Sequence, residues 1–130
     1  MKYKILIVLA KFYNDLSKNL VFGAKKKLKG KTNIKIIEVP GSFEIPVVIS
    51  KNIKKYDGFI ALGCVIKGET PHFDFISKAT TDGIMKLSID HKKPIGNGVI
   101  TCLNKKQAII RSKTKGKEAA NAVGVVLEKL

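Results

Sequence analysis

Tryptophan is absent from the chain, cysteine occurs twice, proline four times, and only ten of the 130 residues are acidic. Two cysteines, Cys64 and Cys102, cannot build a disulfide framework, and neither has a C-x-x-C or histidine spacing that would suggest a metal site. Each sits in an apolar run, so both read as buried free thiols in a reducing cytosol. The longest apolar stretches, such as Ile5 to Ala10 and Phe59 to Leu62, fall far short of the roughly 20 residues that span a bilayer. Behind Met1-Lys2-Tyr3-Lys4 there is no small-residue cleavage site. A cytoplasmic protein with no membrane partner is therefore expected.

What the chain does contain is 45% hydrophobic and 27% charged residues, enough for one globular domain over 1–130 that needs no structural metal. Its conspicuous feature is a net charge of +15, from 25 basic against ten acidic residues. All of the basic residues but Arg111 are lysine, whereas readers of bases and phosphates favour the planar, bidentate guanidinium. The lysines are also spread along the chain, near expected helix ends and turns, where they suit solvation and the helix dipole. No nucleic-acid partner is expected from this pattern.

Lys4 to Ala10 is a continuous Ile/Val/Leu-rich run, the signature of a strand buried on both faces of a parallel sheet. Asn14 to Leu28 then places Leu16, Leu20, Ala24 and Leu28 on one helical stripe, with Gly30 beyond its end. The alternation repeats: strand Ile34 to Val39, helix Phe43 to Ile53 with Pro46 in its first turn, strand Asp57 to Ile66, and a long helix His72 to His91. A fourth strand, Ile95 to Leu103, precedes two helical pieces, Lys105 to Arg111 and Gly116 to Lys129. Strict alternation predicts a three-layer α/β/α sandwich around a four-stranded parallel sheet, with ligands at the carboxyl ends of the strands.

The loops after the strands are therefore where chemistry belongs. The first, Lys11 to Asn14, offers an aromatic and an amide rather than a glycine-rich phosphate loop, which disfavours a nucleotide-binding function. Gly68-Glu69-Thr70-Pro71-His72 leads from a buried strand into a helix, and free N–H groups there make an anion site. The helix dipole disfavours an imidazolium at His72, leaving it able to accept a proton; an exposed loop histidine is an equally good reading. His91 reads as a helix C-terminal cap. Arg111 suits bidentate recognition of an oxyanion, or a surface salt bridge. Phe12 and Phe43 could stack on a planar ring, but both read first as core aromatics. Glu44, in a helix's first turn, reads first as compensation of the dipole.

Several ordered motifs together resemble the 6,7-dimethyl-8-ribityllumazine synthases nearly end to end. They are Lys11-Phe12-Tyr13-Asn14, Val39-Pro40-Gly41-Ser42-Phe43-Glu44-Ile45-Pro46, Ala61-Leu62-Gly63-Cys64-Val65-Ile66-Lys67-Gly68-Glu69-Thr70-Pro71-His72-Phe73-Asp74, Gly98-Val99-Ile100-Thr101 and Lys115-Gly116-Lys117-Glu118-Ala119-Ala120. The resemblance implies a flavodoxin-like fold. It also implies a transferase that condenses 5-amino-6-ribitylaminouracil with 3,4-dihydroxy-2-butanone 4-phosphate, without cofactor or metal, in the penultimate step of riboflavin biosynthesis.

Carried over by residue, the resemblance gives Phe12 a stacking role on the pyrimidine, with Phe43 beside it. Ser42 and Glu44 would bind the ribityl chain, Val65 and Ile66 would line the ring pocket, and His72 would shuttle protons. The phosphate falls to the backbone of Gly68, Glu69 and Thr70, together with Arg111 and Lys115. Asn97 stands where many relatives carry a second aromatic, so its amide would replace stacking by hydrogen bonding. The segment from Arg111 to Lys115 is shorter than in many members, Lys67 stands where arginine is frequent, and Lys117 where a small residue is usual. Arg111 and Lys115 are implied to come from a neighbouring subunit, in an oligomer no smaller than a pentamer with sites at its interfaces and riboflavin synthase as a candidate partner. The net charge favours an isolated pentamer over a close-packed shell.

Overall fold

The computed structural model describes residues 2–28, 30 and 32–129. Strands β1 (Tyr3–Ala10), β2 (Thr32–Val39), β3 (Gly58–Ile66) and β4 (Ile95–Cys102) alternate with helices α1 (Asn14–Lys27), α2 (Ile45–Lys51), α3 (His72–His91) and α4 (Lys105–Glu128). All strand pairs are parallel and the sheet order is β2-β1-β3-β4. Helices α1 and α4 cover one face, α2 and α3 the other, which is the three-layer flavodoxin-like sandwich. No helix among the described residues is long and apolar enough to cross a membrane.

β1 shows why the order is fixed. Ile5, Ile7 and Leu9 enter the core under α1 and α4, while Leu6, Val8 and Ala10 enter the core under α2 and α3. None of the six is more than 5% exposed. Removing each of the larger ones from water contributes about 1.5–3 kcal/mol, so a strand this apolar is stable only between two layers of helices. At the sheet edge β2 instead alternates half-buried with exposed residues over most of its length.

The helix ends follow local chemistry. In α4 the Asn104 side chain accepts from the Gln107 N–H at 2.9 Å, and the Gln107 side chain accepts from the Leu103 N–H at 2.9 Å, a reciprocal N-terminal cap. Before α2 the chain makes a short 3₁₀ turn over Ser42–Glu44, so the regular helix starts at Ile45 and ends at Lys51, inside the expected span of Phe43 to Ile53. Its Pro46 falls in the first turn, where a missing N–H costs nothing. The end of α3 is closed by Lys92 rather than by His91. Lys92 is left-handed (φ 55°), its N–H donates to the Ser88 carbonyl, and His91 stays exposed. The Lys93 ammonium then donates to the carbonyls of Ile53 (2.6 Å) and Tyr56 (2.9 Å), tying this turn to the segment after α2.

Because every helix runs back against a parallel strand, all helix C-termini meet at the amino-terminal end of the sheet. Lys25, Lys26 and Lys27 of α1, Lys51, Lys54 and Lys55 around the end of α2, Lys92 and Lys93 after α3 and Lys129 after α4 gather there. Lys2 and Lys4 at the start of β1 join them. The carboxylates at this end are Asp57, Asp90 and Glu128. At the carboxyl end, Lys11, Lys67, Lys105, Lys106 and Arg111 stand beside Asp15, Glu38, Glu44, Glu69 and Asp74. The positive charge is thus concentrated at one pole.

The two expected C-terminal helical pieces form one helix, Lys105–Glu128, with no break at residues 112–115. Gly116 is not a helix start but a contact. A Cβ there would fall on the carbonyl oxygen of Leu20, and a Cβ on Gly23 would lie 3.1 Å from the Lys117 nitrogen, so α1 and α4 cross backbone to backbone. Gly124, in the same helix, faces open space. Gly116→Ala should therefore destabilise the fold by about 3 kcal/mol or more in urea unfolding. Gly124→Ala should stabilise it by about 0.5–1 kcal/mol through helix propensity. Equal effects of the two would refute the close crossing.

Candidate active site

Four parallel strands deliver their following loops to one rim. The β1 loop carries Phe12 and Tyr13, the β2 loop Ser42 to Glu44, the β3 loop Lys67 to His72, and the β4 loop Leu103 and Asn104. Phe12 is 50% exposed and Phe43 59%. The reading of both as core aromatics fails because each lies past the last buried residue of its strand, Ala10 or Val39, where the helical layers no longer cover the chain. Phe12 instead packs edge-to-face on Tyr13 at 4.4 Å between ring centroids, and the Lys105 ammonium lies 4.1 Å from the Tyr13 ring centre.

The β2 loop divides its side chains. Ser42 is buried, with its hydroxyl against Gly63, where a Cβ would come within 2.9 Å. That hydroxyl has no hydrogen-bond partner among the described residues, and the Ser42 carbonyl accepts from the Thr80 hydroxyl at 3.3 Å. Ser42 therefore fixes the loop against β3 and α3, with its hydroxyl enclosed beside Gly63. Glu44 is half-buried beside Gly41, with Phe43 standing outward between the two.

Val65 and Ile66 end β3, both half-buried. Successive strand residues point to opposite faces, and here Val65 packs on the α2/α3 side while Ile66 packs on the α1/α4 side. One side of the sheet can present only one of the two. The chain then leaves through Lys67, whose N–H donates to the Cys102 carbonyl at 2.9 Å, and through the exposed Gly68, Glu69, Thr70 and Pro71. His72 is the first residue of α3 and exposed. Its backbone N–H reaches the Thr70 hydroxyl at 3.4 Å, and its imidazole has no hydrogen-bond partner among the described residues. Pro71 gives the helix no side-chain cap, and its carbonyl accepts from the Asp74 N–H at 3.0 Å, so the Phe73 N–H and the exposed loop before the helix are what this end can offer an anion.

Arg111 is on α4, across the sheet from α3, yet it is drawn back to the same rim. Its Nη1 donates to the Thr101 carbonyl at 3.0 Å and approaches the Cys102 sulfur at 3.9 Å, at the end of β4. Lys115 follows one helical turn further on and is half-buried. Thr101, Cys102 and Thr80 are contacts that no sequence pattern revealed, because two act through backbone carbonyls and the third through a hydroxyl inside a helix. Asn97 is not at the rim. It pairs with Ala61 in the middle of β4, is exposed, and its Oδ1 accepts from the Val99 N–H at 3.1 Å.

Phe43, Val65 and His72 thus belong to the α2/α3 side, and Arg111 and Lys115 to the α1/α4 side. Other grooves lie away from these residues. One of about 620 Å³ runs between α1 and β2 and includes Lys11, Val21, Phe22 and Ile36. Another of about 280 Å³ lies between Tyr3 and the end of α4. Neither takes in His72 or Arg111. The two groups stand at one rim on opposite faces of the sheet.

Both cysteines are buried and free. Burial, with a smaller contribution from the neighbouring Cys102, pushes the Cys64 thiol up to about 11. No cluster of three or more His, Cys, Asp or Glu side chains suited to a metal occurs among the described residues.

Comparison with known proteins agrees with the layout of the loops. The chain matches the family model for 6,7-dimethyl-8-ribityllumazine synthase over residues 2–130. It is 43% identical over 131 residues to the 6,7-dimethyl-8-ribityllumazine synthase of Novosphingobium aromaticivorans, covering 95% of this chain and 94% of that protein. The protein of the same name from Agrobacterium fabrum is 40% identical over 139 residues, covering 98% and 94%. The one from Bartonella henselae is 44% identical over 130 residues, covering 93% and 84%.

A buried thiol whose ionisation is moved from 9.0 to about 11 should react with iodoacetamide at pH 8 about 100-fold more slowly in the native than in the unfolded protein. Raising the pH towards 11 should restore part of the rate as the thiolate forms. Fast labelling of native Cys64 at pH 8 would contradict its enclosure.

Proposed function

The chain belongs to the 6,7-dimethyl-8-ribityllumazine synthase family, and from that membership we propose how its residues divide the work. The protein condenses 5-amino-6-ribitylaminouracil with 3,4-dihydroxy-2-butanone 4-phosphate in riboflavin biosynthesis. Residues 1–130 act as one domain, and the observation that carries the assignment is the rim itself. An exposed aromatic, a helix-start histidine and an uncapped helix N-terminus stand at the carboxyl ends of one parallel sheet, with a guanidinium drawn back to the same end.

Phe12 stacks on the uracil ring, with Val65 lining the ring from the α2/α3 side. The ribityl chain meets Glu44 and the backbone around Ser42. The phosphate is held by the N–H groups of Gly68, Glu69 and Thr70 and by Arg111 and Lys115. Glu69 contributes its amide rather than its carboxylate, since like charges repel.

In the reaction an amine of the uracil adds to the ketone carbonyl and water leaves to give an imine. Phosphate is then lost by elimination, the resulting enol becomes a ketone, and the second amine adds to that carbonyl and loses a second water to close the ring. Each step moves a proton between nitrogen, carbon and oxygen, which His72 does from the loop edge. Departure of phosphate is eased by donors already in place around it. Most of the acceleration comes from holding the two reactants together.

The two half-sites of one chain are joined by a neighbour. His72, Phe12 and Glu44 of one copy face Arg111 and Lys115 of the next, in a ring of at least five copies. Support comes from the separation of the half-sites on the two faces of the sheet, and from Phe43, Val47, Phe75, Met85 and Ile89, large apolar side chains left exposed on the α2/α3 layer. Asn97, on the edge strand β4, belongs to this contact surface, and riboflavin synthase is the partner that consumes the product.

His72→Ala should lower kcat by up to about 100-fold, the lower end of what positioned proton transfer contributes, with phosphate release and lumazine formation falling together. Arg111→Ala should raise KM for the butanone phosphate about 10- to 100-fold, as expected for a lost charged hydrogen bond, and leave KM for the uracil unchanged. Unaltered turnover in His72→Ala would remove its assigned role. Mixed oligomers of the two variants, refolded together in equal amounts, should regain about a quarter of wild-type activity if each site spans a head-to-tail contact between neighbours. Sites built within one chain would regain none.

A further inference from the structure

The pole opposite the rim carries a groove of about 600 Å³ lined by Lys4, Asn33, Lys35, Lys54, Lys55 and Tyr56. All four lysines are exposed, and none forms an ion pair with a described residue. Compensation of helix dipoles explains cations in the last turn of a helix, but Lys4 and Lys35 are on strands and Lys54 and Lys55 lie three and four residues beyond the end of α2. The nearest carboxylate in sequence, Asp57, is taken up by the backbone, accepting from the Lys4 N–H at 2.7 Å. Four ammonium groups around one open groove repel one another, a cost that an anionic occupant would reverse. Steering of the anionic substrate does not account for them, since the site is at the other end of every strand.

We propose that this groove binds a linear chain of phosphate groups, recognised by charge and spacing and not by sequence. Arginine would add bidentate readout, but a mobile lysine point charge is sufficient for contacts to successive phosphates that carry no sequence information, and Arg111 is at the opposite pole. A nucleic-acid backbone and inorganic polyphosphate share this chemistry. The inference does not depend on the proposed division of the active site.

The test measures binding of fluorescent single-stranded oligo-dT of 20 nucleotides, and of long-chain inorganic polyphosphate as a competitor, between 50 and 200 mM salt, using the intact oligomer. Lys35→Gln/Lys54→Gln/Lys55→Gln should weaken binding at least 10-fold and reduce the salt slope by about 2, since each phosphate contact on a single strand adds roughly 0.7. The milder Lys54→Gln/Lys55→Gln should reduce it by about 1.4. Lys78→Gln/Lys86→Gln/Lys113→Gln, an equal change in charge away from the groove, should change affinity less than about 3-fold. Displacement of the oligonucleotide by polyphosphate supports a shared phosphate site, and binding of polyphosphate alone supports it with phosphoanhydride chains as the source. Equal weakening by both triple variants would reduce the effect to net charge and overturn the proposal. So would failure of wild type to bind either chain at 50 mM salt.

Discussion

Ile5 through Ala10 and Phe59 through Cys64 lie between helices on both faces of the sheet, none of them more than 8% exposed. Parallel strands can be enclosed in this way only if the chain crosses back over one face or the other between them. From that single requirement the polarity of everything else follows. Each helix must run against the strands, each strand-to-helix loop must open at the carboxyl end, and each helix must finish at the amino end. The loop-bearing rim and the basic pole are the two ends of one constraint.

At the rim, the same geometry sets what one chain can and cannot do. Crossovers to α1 and α4 pass over one face and those to α2 and α3 over the other, so functional side chains arising from different crossovers are separated by the thickness of the sheet. His72 and Phe43 stand on one side. Arg111 is on the other, held at the end of β4 by the Thr101 carbonyl. A fold of this kind can place many groups at one level but cannot by itself wrap them around a substrate. In the proposed arrangement a second copy closes the site, and the apolar side chains left bare on the α2/α3 layer would supply the free energy of that contact.

Much of the architecture was legible in the residues. The strand of Lys4 to Ala10, the helix from Asn14 and the long helix His72 to His91 fall within a residue or so of the observed elements, because burial on two faces or on one stripe leaves a strong periodic trace. Gly116 misled, since a glycine that lets two backbones touch is written like one that separates two helices. Phe12 and Phe43 also looked like core residues, as aromatics do by composition. Their exposure depends on where each strand emerges from the helical layers. Ser42 and the pair Val65-Ile66 could be placed near the site by motif, but which way each side chain turns is a matter of pleat and packing.

The order of elements, the parallel sheet, the two buried thiols and the motifs of the family can all be read from the residues, because they rest on local periodicity or on short contiguous runs. The distribution of charge and the faces on which the candidate site residues stand come from the stacking of the elements. Many of the lysines that look scattered along the chain sit at helix C-termini, and parallel crossovers bring every one of those C-termini to the same pole. Residues 72 and 111, separated by the whole of α3, strand β4 and the first two turns of α4, reach the same level of the sheet on opposite faces. Neither fact has a local signature, because both arise from how distant segments are stacked.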